Sequence, residues 1–205
     1  MTLDPPFTLV IGTHNRKKGE ELAELLTPRG FRVVTLDDFP TAIEVVEDGD
    51  TFERNAALKA TQQAVHLGQW VLADDSGLAV DALGGAPGVY SARFAGPQAT
   101  DDDNNQRLLA DLGDRPLEKR TAHYVCHITV ADPSGAIRAE SHGVCHGRIR
   151  VEPSGTNGFG YDPLFEVVEY HRTFGELGSH VKQVLSHRSR ALRLIVPQLM
   201  QIICS

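Results

Sequence analysis

The stretch Phe7-Thr-Leu-Val-Ile-Gly-Thr-His-Asn-Arg-Lys-Lys-Gly-Glu-Glu-Leu-Ala-Glu-Leu-Leu26 decides the fold class. Its first five residues are apolar or β-branched and end at Gly12, the pattern of a buried strand. Thr13 and Asn15 are cap-forming residues. Beyond them Leu22, Leu25 and Leu26 recur at i, i+3, i+4 on one helix face. A buried strand feeding an amphipathic helix through a short turn is the opening unit of an α/β protein.

The alternation continues. Gly30 closes the helix, and Phe31 to Leu36 reads as a second strand. Residues 37–50 are acidic and aperiodic, so they read as loop. Thr51 to about Leu67 is an Ala-rich helix ended by Gly68, and Trp70 to Ala73 is a third strand. Asp101 to Leu112 reads as a helix whose acidic first turn suits the positive end of its dipole. From His123 to Ala131, Tyr124, Cys126, Ile128 and Val130 fall on one face of a strand. Asp132-Pro-Ser-Gly135 is a turn, and Ala136 to Cys145 returns antiparallel. A last helix starts near Ser186 and runs through Leu192, Leu194, Ile195 and Val196, with Pro197 expected to kink or restart it. The sum is an α/β fold with a mixed sheet.

The 205 residues suit a single domain, 1–205, with room for two lobes. Twenty-seven acids against 20 bases give a net charge of −7, which disfavours duplex nucleic acid as a partner. Three cysteines, Cys126, Cys145 and Cys204, are too few and too odd in number for a disulfide framework and point to a reducing compartment. Met1 to Phe7 has no basic leader pattern, and no apolar run approaches the roughly 18 residues of a membrane span. The expected location is the cytoplasm, away from membranes.

The chemistry concentrates in Leu72-Ala-Asp74-Asp75-Ser76-Gly77. Two adjacent carboxylates follow an apolar run, and the expectation is a strand whose end presents acids to a cleft. Oxygen donors of this kind suit Mg²⁺, which commonly arrives with phosphate. Neighbours on a strand point to opposite faces, so Asp74 and Asp75 need different jobs, one at a metal and one as a proton acceptor. Further on, Gly84 to Arg93 adds a glycine-rich turn and a cation. Gly12-Thr13-His14-Asn15-Arg16-Lys17-Lys18 joins a strand to a helix N-terminus, where unpaired N–H groups bind phosphate. It lacks the spaced glycines of a P-loop.

Each motif has a plain structural alternative. The turn at Thr13 is also an ordinary cap with solvated lysines, and Glu44, Glu47, Asp48 and Asp50 are also a solvated charge run. Asn157-Gly-Phe-Gly-Tyr-Asp-Pro163 offers an exposed ring for a planar base, or a turn with a core aromatic. Ser186 is also a helix cap, and Lys182 and Arg188 are also surface charges. His123, Cys126, His127, His142, Cys145 and His146 raise a zinc reading, but alternating strands split them between faces, and tight Cys-x-x-Cys pairs are missing.

The order of the motifs is more specific than any one of them. Thr13-x-Asn15-x-x-Lys18, Glu47 before Thr51-Phe52, Asn55-Ala56-x-x-Lys59-Ala60, Ala73-Asp-Asp-Ser-Gly-Leu78, the Gly84 to Arg93 segment, Phe159-Gly-Tyr-Asp162 and Ser186-His-Arg188 together resemble the inosine/xanthosine triphosphate pyrophosphatase family, from Val10 to about Leu194. The resemblance implies an elongated two-lobed α/β fold around a long mixed sheet, an active site in the inter-lobe cleft and a homodimer. It implies Mg²⁺-dependent hydrolysis of dITP, ITP and XTP to the monophosphate and pyrophosphate. By position, Asp75 matches the general base beside the metal, and Glu47 and Asp74 match acids at the Mg²⁺. Thr13, His14, Asn15, Arg16, Lys17 and Lys18 match the phosphate-binding turn, with Lys59 and Ser76 near the phosphates. Phe159 matches the ring that stacks on the base, within the segment Phe159, Gly160, Tyr161 and Asp162. Asp162, Lys182, His187 and Arg188 match the readers of the purine edge. Arg54 and Val181 stand where the family commonly has Glu, and residues 166–181 match poorly. The rival readings are a related-fold pyrophosphatase for pyrimidine or modified nucleotides, a non-catalytic nucleotide-binding protein and a zinc-stabilised module.

Overall fold

The structure is a computed structural model describing residues 6–203. Cys204 and most of the Met1 to Phe7 segment lie outside the described residues. The elements are β1 (Phe7–Ile11), α1 (Arg16–Leu26), β2 (Phe31–Thr35), α2 (Phe52–Leu67), β3 (Val71–Val80), α3 (Asp101–Leu112), β4 (Thr121–Ala131), β5 (Ile137–Ile149), β6 (Phe165–Val167), β7 (Arg172–Thr173), α4 (Ser179–Leu185) and α5 (His187–Ile203). The strands form one mixed sheet in the order β2-β1-β3-β4-β5-β6-β7. β1 pairs in parallel with β2 and β3, and β6 pairs antiparallel with β5 and β7.

The chain divides into two compact units. The first comprises residues 1–75, 126–143 and 188–205, and the second residues 76–125 and 144–187. In the first unit Leu9 and Ile11 of β1 face a core with Leu22, Leu25 and Leu26 of α1, Ile128 and Val130 of β4, and Leu192, Ile195 and Leu199 of α5. Val10, the residue between them, packs with Val71, Ala73, and Ala60 and Ala64 of α2. Parallel strands covered on both faces read as continuous apolar runs, which is why β1 was legible. In the second unit Leu78 and Val80 pack with Leu108 and Leu112 of α3, Tyr124, Ile149, Phe165 and Phe174.

Two expectations change. β3 does not end at Ala73. It runs ten residues to Val80, so Asp74 and Asp75 sit in mid-strand rather than at a strand end. The polar run Asp-Asp-Ser-Gly imitates a turn, yet both acids are buried and their charges are met by cations. Pro197 lies inside α5 without a break in the helix. Near it the Gln198 amide donates to the carbonyls of Leu194, at 3.1 Å, and Glu140, at 3.2 Å. Ser186 is the C-cap of α4, a helix the sequence pattern did not reveal, and it directly precedes the first residue of α5, where the last helix was expected to start. β6, β7 and α4 have three, two and seven residues, too short for a period to emerge.

Candidate active site

Two groups of polar side chains are built on these elements, one in each unit. The first is organised by β3. Asp74 and Asp75 alternate across the strand, so each has its own set of partners. Asp75 accepts from Lys59 Nζ at 3.0 Å and from Asn55 Nδ2 at 3.4 Å. Lys59 also donates to Glu47 at 2.8 Å, so one ammonium joins two carboxylates. Asn55 and Lys59 are one turn apart on α2 and therefore share a face. Asn55 further accepts from the Gly49 N–H at 2.8 Å and donates to the Gly49 carbonyl at 3.3 Å. That clasp fixes the loop that carries Glu47.

Burial pushes the Asp75 carboxyl up. Lys59 and Lys18 pull it down, Glu47 pushes it up again, and the result lies above the ordinary carboxylate value. Asp74 is fully buried, which alone would raise it. Lys18, Arg188 and Lys59 outweigh that and hold it well below the usual range. Arg188 reaches Asp74 through Nη2 at 3.1 Å and Nε at 3.3 Å, and its Nη1 donates to Glu21. Lys18 Nζ lies 3.7 Å from Asp74.

The turn before α1 has the cap the sequence called for. Asn15 is the N-cap and accepts from the Lys18 N–H at 3.1 Å, and Thr13 Oγ1 accepts from the Asn15 N–H at 3.1 Å. His14, Arg16 and Lys17 are exposed. Arg16 pairs with Glu20 at 2.8 Å along the helix surface, and His14 Nε2 is 3.4 Å from the Ile43 carbonyl. Of this segment it is Lys18 that points to the acids.

The second group surrounds Asp162, which is buried. Its Oδ2 accepts from Lys182 Nζ at 2.6 Å and from the Phe159 N–H at 2.9 Å, and its Oδ1 accepts from Tyr124 at 3.3 Å. Lys182 Nζ lies over the Phe159 ring, 4.6 Å from its centre. The buried His187 ring stacks on Tyr124 at 4.7 Å. Tyr161 donates to the Ser91 carbonyl at 2.8 Å, and both peptide groups of Gly160 are engaged. Ser76, on β3, is half-buried and belongs to the same unit.

So Lys18, Glu47, Lys59, Asp74 and Asp75 come together as one group, and Phe159, Gly160, Tyr161, Asp162, Lys182 and His187 as another. Arg188 joins the first group, although the resemblance places it with the purine readers. Among the described residues no cluster of three His, Cys, Asp or Glu is disposed to hold a metal, and Cys126 and Cys145 are buried on β4 and β5.

A family model of the Ham1 family matches residues 9–198. The chain belongs to the Ham1 family. A relative from Rhodopirellula baltica, named dITP/XTP pyrophosphatase, is 55% identical over 199 residues, covering 97% of this chain and 96% of its own. One from Exiguobacterium with the same name is 54% identical over 185 residues, covering 90% and 93%. The structure of a HAM1 protein from Coxiella burnetii superposes with a TM-score of 0.83 at 38% identity over 97% of this chain and 98% of that one.

Within this Ham1 chain, sequence reasoning missed Asn55, Glu21 and Tyr124. Asn55 had a signal, because it stands four residues before Lys59 on a helix. Glu21 carried no signal in the α1 pattern, and Tyr124 was one residue of the apolar strand face. Gly158 is fixed by its neighbour: it has φ +77°, and a Cβ there would lie 2.0 Å from Asp162 Oδ2. Gly158→Ala is therefore expected to displace the Asp162 carboxylate and raise KM for purine triphosphates about tenfold or more. Steady-state kinetics on ITP checks this, and an unchanged KM would refute it.

Proposed function

We propose that the chain hydrolyses dITP, ITP and XTP to the nucleoside monophosphate and pyrophosphate, with Mg²⁺, as a homodimer in the cytoplasm. The names of the relatives support the reaction class. The observation that carries the site assignment is the meeting of Glu47 and Asp75 on the single cation of Lys59. Two converging carboxylates in a partly buried loop-and-strand setting are an all-oxygen donor set, which suits a hard divalent cation. Glu47 and Asp75 would hold it. Asp74, on the other face of β3, anchors Lys18 and Arg188 instead. When bound, Mg²⁺ supplies charge neutralisation on the phosphates and polarises the reacting bond.

The protein groups do the rest. The first N–H groups of α1 and the Lys18 ammonium bind phosphate oxygens. Lys59 neutralises charge beside Asp75. Asp75 accepts a proton from the attacking water as the water oxygen bonds to the α-phosphorus. The α–β bridging oxygen then leaves with pyrophosphate. The Lys59 ammonium at 3.0 Å favours the ionised form of Asp75, as a bound cation would, and that is the form able to accept a proton. Phosphoryl transfer demands mainly positioning and charge, which this set supplies.

The second group reads the base. Phe159 stacks on the ring, and Lys182 and His187 present donors where a 6-oxo purine has an acceptor. Adenine has an amine donor there, so it leaves those groups unpaired, a strong basis for rejection. Phe159→Ala is expected to weaken binding by about 1–3 kcal/mol, the range of base–aromatic stacking. An ITP affinity unchanged in calorimetry would remove Phe159 from the base site.

Pyrophosphate release from ITP, dITP, XTP, GTP, ATP and pyrimidine triphosphates, with Mg²⁺ and with chelator, tests the whole reading. Metal-dependent release from ITP and XTP far above GTP and ATP is expected. Release chiefly from pyrimidine nucleotides would discard the base-side assignment, and release unaffected by chelator would discard the cation. Light scattering at twice the chain mass is the expected dimer result.

A further inference from the structure

We propose that Asp101 and Asn105 of α3 are positioning residues for base selection, acting on the Phe159 ring through Gly160; this rests on the assignment of Phe159 as the stacking ring. Asp101 Oδ2 accepts the Gly160 N–H at 2.9 Å, and Asn105 Nδ2 donates to the Gly160 carbonyl at 3.0 Å. The two side chains stand four residues apart, one above the other on one helix face. Together they take both backbone groups of the residue that follows Phe159.

The helix they stand on is firmly placed. Thr100 and Asp103 form a reciprocal cap at its start, and Leu108 and Leu112 are fully buried. Asn104, next to Asn105, accepts from the Ala95 N–H at 2.8 Å and donates to the Ala92 carbonyl at 3.2 Å. The helix thus also holds the end of the Gly84 to Arg93 segment and the residues just after it. Tyr161 is tied to the same segment through the Ser91 carbonyl. On the other side of the ring, Asp162 receives the Phe159 N–H and Lys182. On the C-terminal side of Phe159 the clasp on Gly160 acts beside the bond from the Asp162 N–H to the Phe159 carbonyl, at 3.2 Å, and helps set the direction in which the chain leaves the ring.

Gly160 has φ +61°, and nothing lies within 4 Å of where its Cβ would be. Space does not demand glycine there; the left-handed backbone does. Tyr161 anchors the loop by packing in the core, while Gly160 itself is held by its two hydrogen bonds. Asp101 is exposed and Asn105 half-buried, so little of the core rests on either. Their loss should alter the ring's placement more than the fold.

The test is the double variant Asp101→Ala/Asn105→Ala, made alone and with Phe159→Ala. Alone, it is expected to raise KM for ITP and XTP about tenfold, keep kcat within about twofold and lower the preference for ITP over ATP. In the Phe159→Ala background the same pair should change KM by less than about twofold, because the ring through which it acts is gone. Asp101→Asn, which keeps an acceptor oxygen, should restore most of the Asp101→Ala loss. A change in melting temperature with unchanged KM and preference would overturn the proposal, as would an equal KM effect in both backgrounds. If Phe159→Ala itself leaves KM unchanged, the stacking assignment fails and the proposal with it. If Phe159→Ala raises KM and the α3 pair does not, only the proposal fails.

Discussion

Asp75→Asn is expected to lower kcat by about 10²-fold or more, the scale of a lost general base, while ITP binding stays within about tenfold. The substitution keeps the side chain's shape and removes its ability to take a proton. It also removes one of two carboxylates from Lys59, but Glu47 stays at 2.8 Å, so the ammonium is not left unpaired. Asn55, which donates to Asp75 at 3.4 Å, retains its two bonds to Gly49 and keeps the Glu47 loop in place. The fold therefore has little reason to respond. Single-turnover kinetics and calorimetry with ITP separate the two effects. A variant with near-normal kcat would show that the base lies elsewhere. A variant that neither turns over nor binds would assign Asp75 chiefly to holding the cation and phosphates.

The parts of this reading that were legible in the sequence share a cause. Each carries its signal within its own segment: β1 is a continuous apolar run, α1 shows an apolar helical period, α2 is an unbroken Ala-rich stretch and α3 opens on an acidic turn, and each is bounded by a cap or a glycine. Asn15, Thr51 and Thr100 all cap the helices they precede. The α3 boundaries agree residue for residue, because its acidic first turn and its leucine pair leave no ambiguity of period. β3 was misread because buried acids break an apolar run as a turn would. What distinguishes them is the matching cation, and Lys18, Lys59 and Arg188 arrive from distant positions in the chain. The same limit applied at Asp162, whose partners Tyr124 and Lys182 lie 38 and 20 residues away. A pattern in one segment carries no information about a partner in another. Arg188 illustrates the point most sharply. It follows His187 directly, yet His187 packs on Tyr124 while Arg188 turns to Asp74 and Glu21.

That turn makes Arg188 the side chain whose loss should damage stability most. Asp74 and Arg188 are 0% and 1% exposed, and the guanidinium spans Asp74 and Glu21. A buried pair adds little over an apolar replacement, but removing one partner strands the other charge, at about 3–5 kcal/mol. Arg188→Met keeps much of the packing volume and removes only the charge, so it is expected to fall within that range in denaturant unfolding at neutral pH. Lys18, at 3.7 Å, compensates in part. The pH dependence distinguishes electrostatics from packing. In the native chain Asp74 is held below its unfolded value, so its contribution is present above the usual carboxylate range and is lost as pH falls through the lower folded value. Without Arg188, burial is opposed only by the lysines, the folded value rises, and the stranded carboxylate neutralises at a higher pH. The deficit of Arg188→Met should therefore shrink as the solution is acidified. Adding Asp74→Asn should recover much of it at neutral pH. A deficit that is independent of pH and untouched by Asp74→Asn would mean that Arg188 serves as filling, and that Asp74 is neutralised chiefly by Lys18.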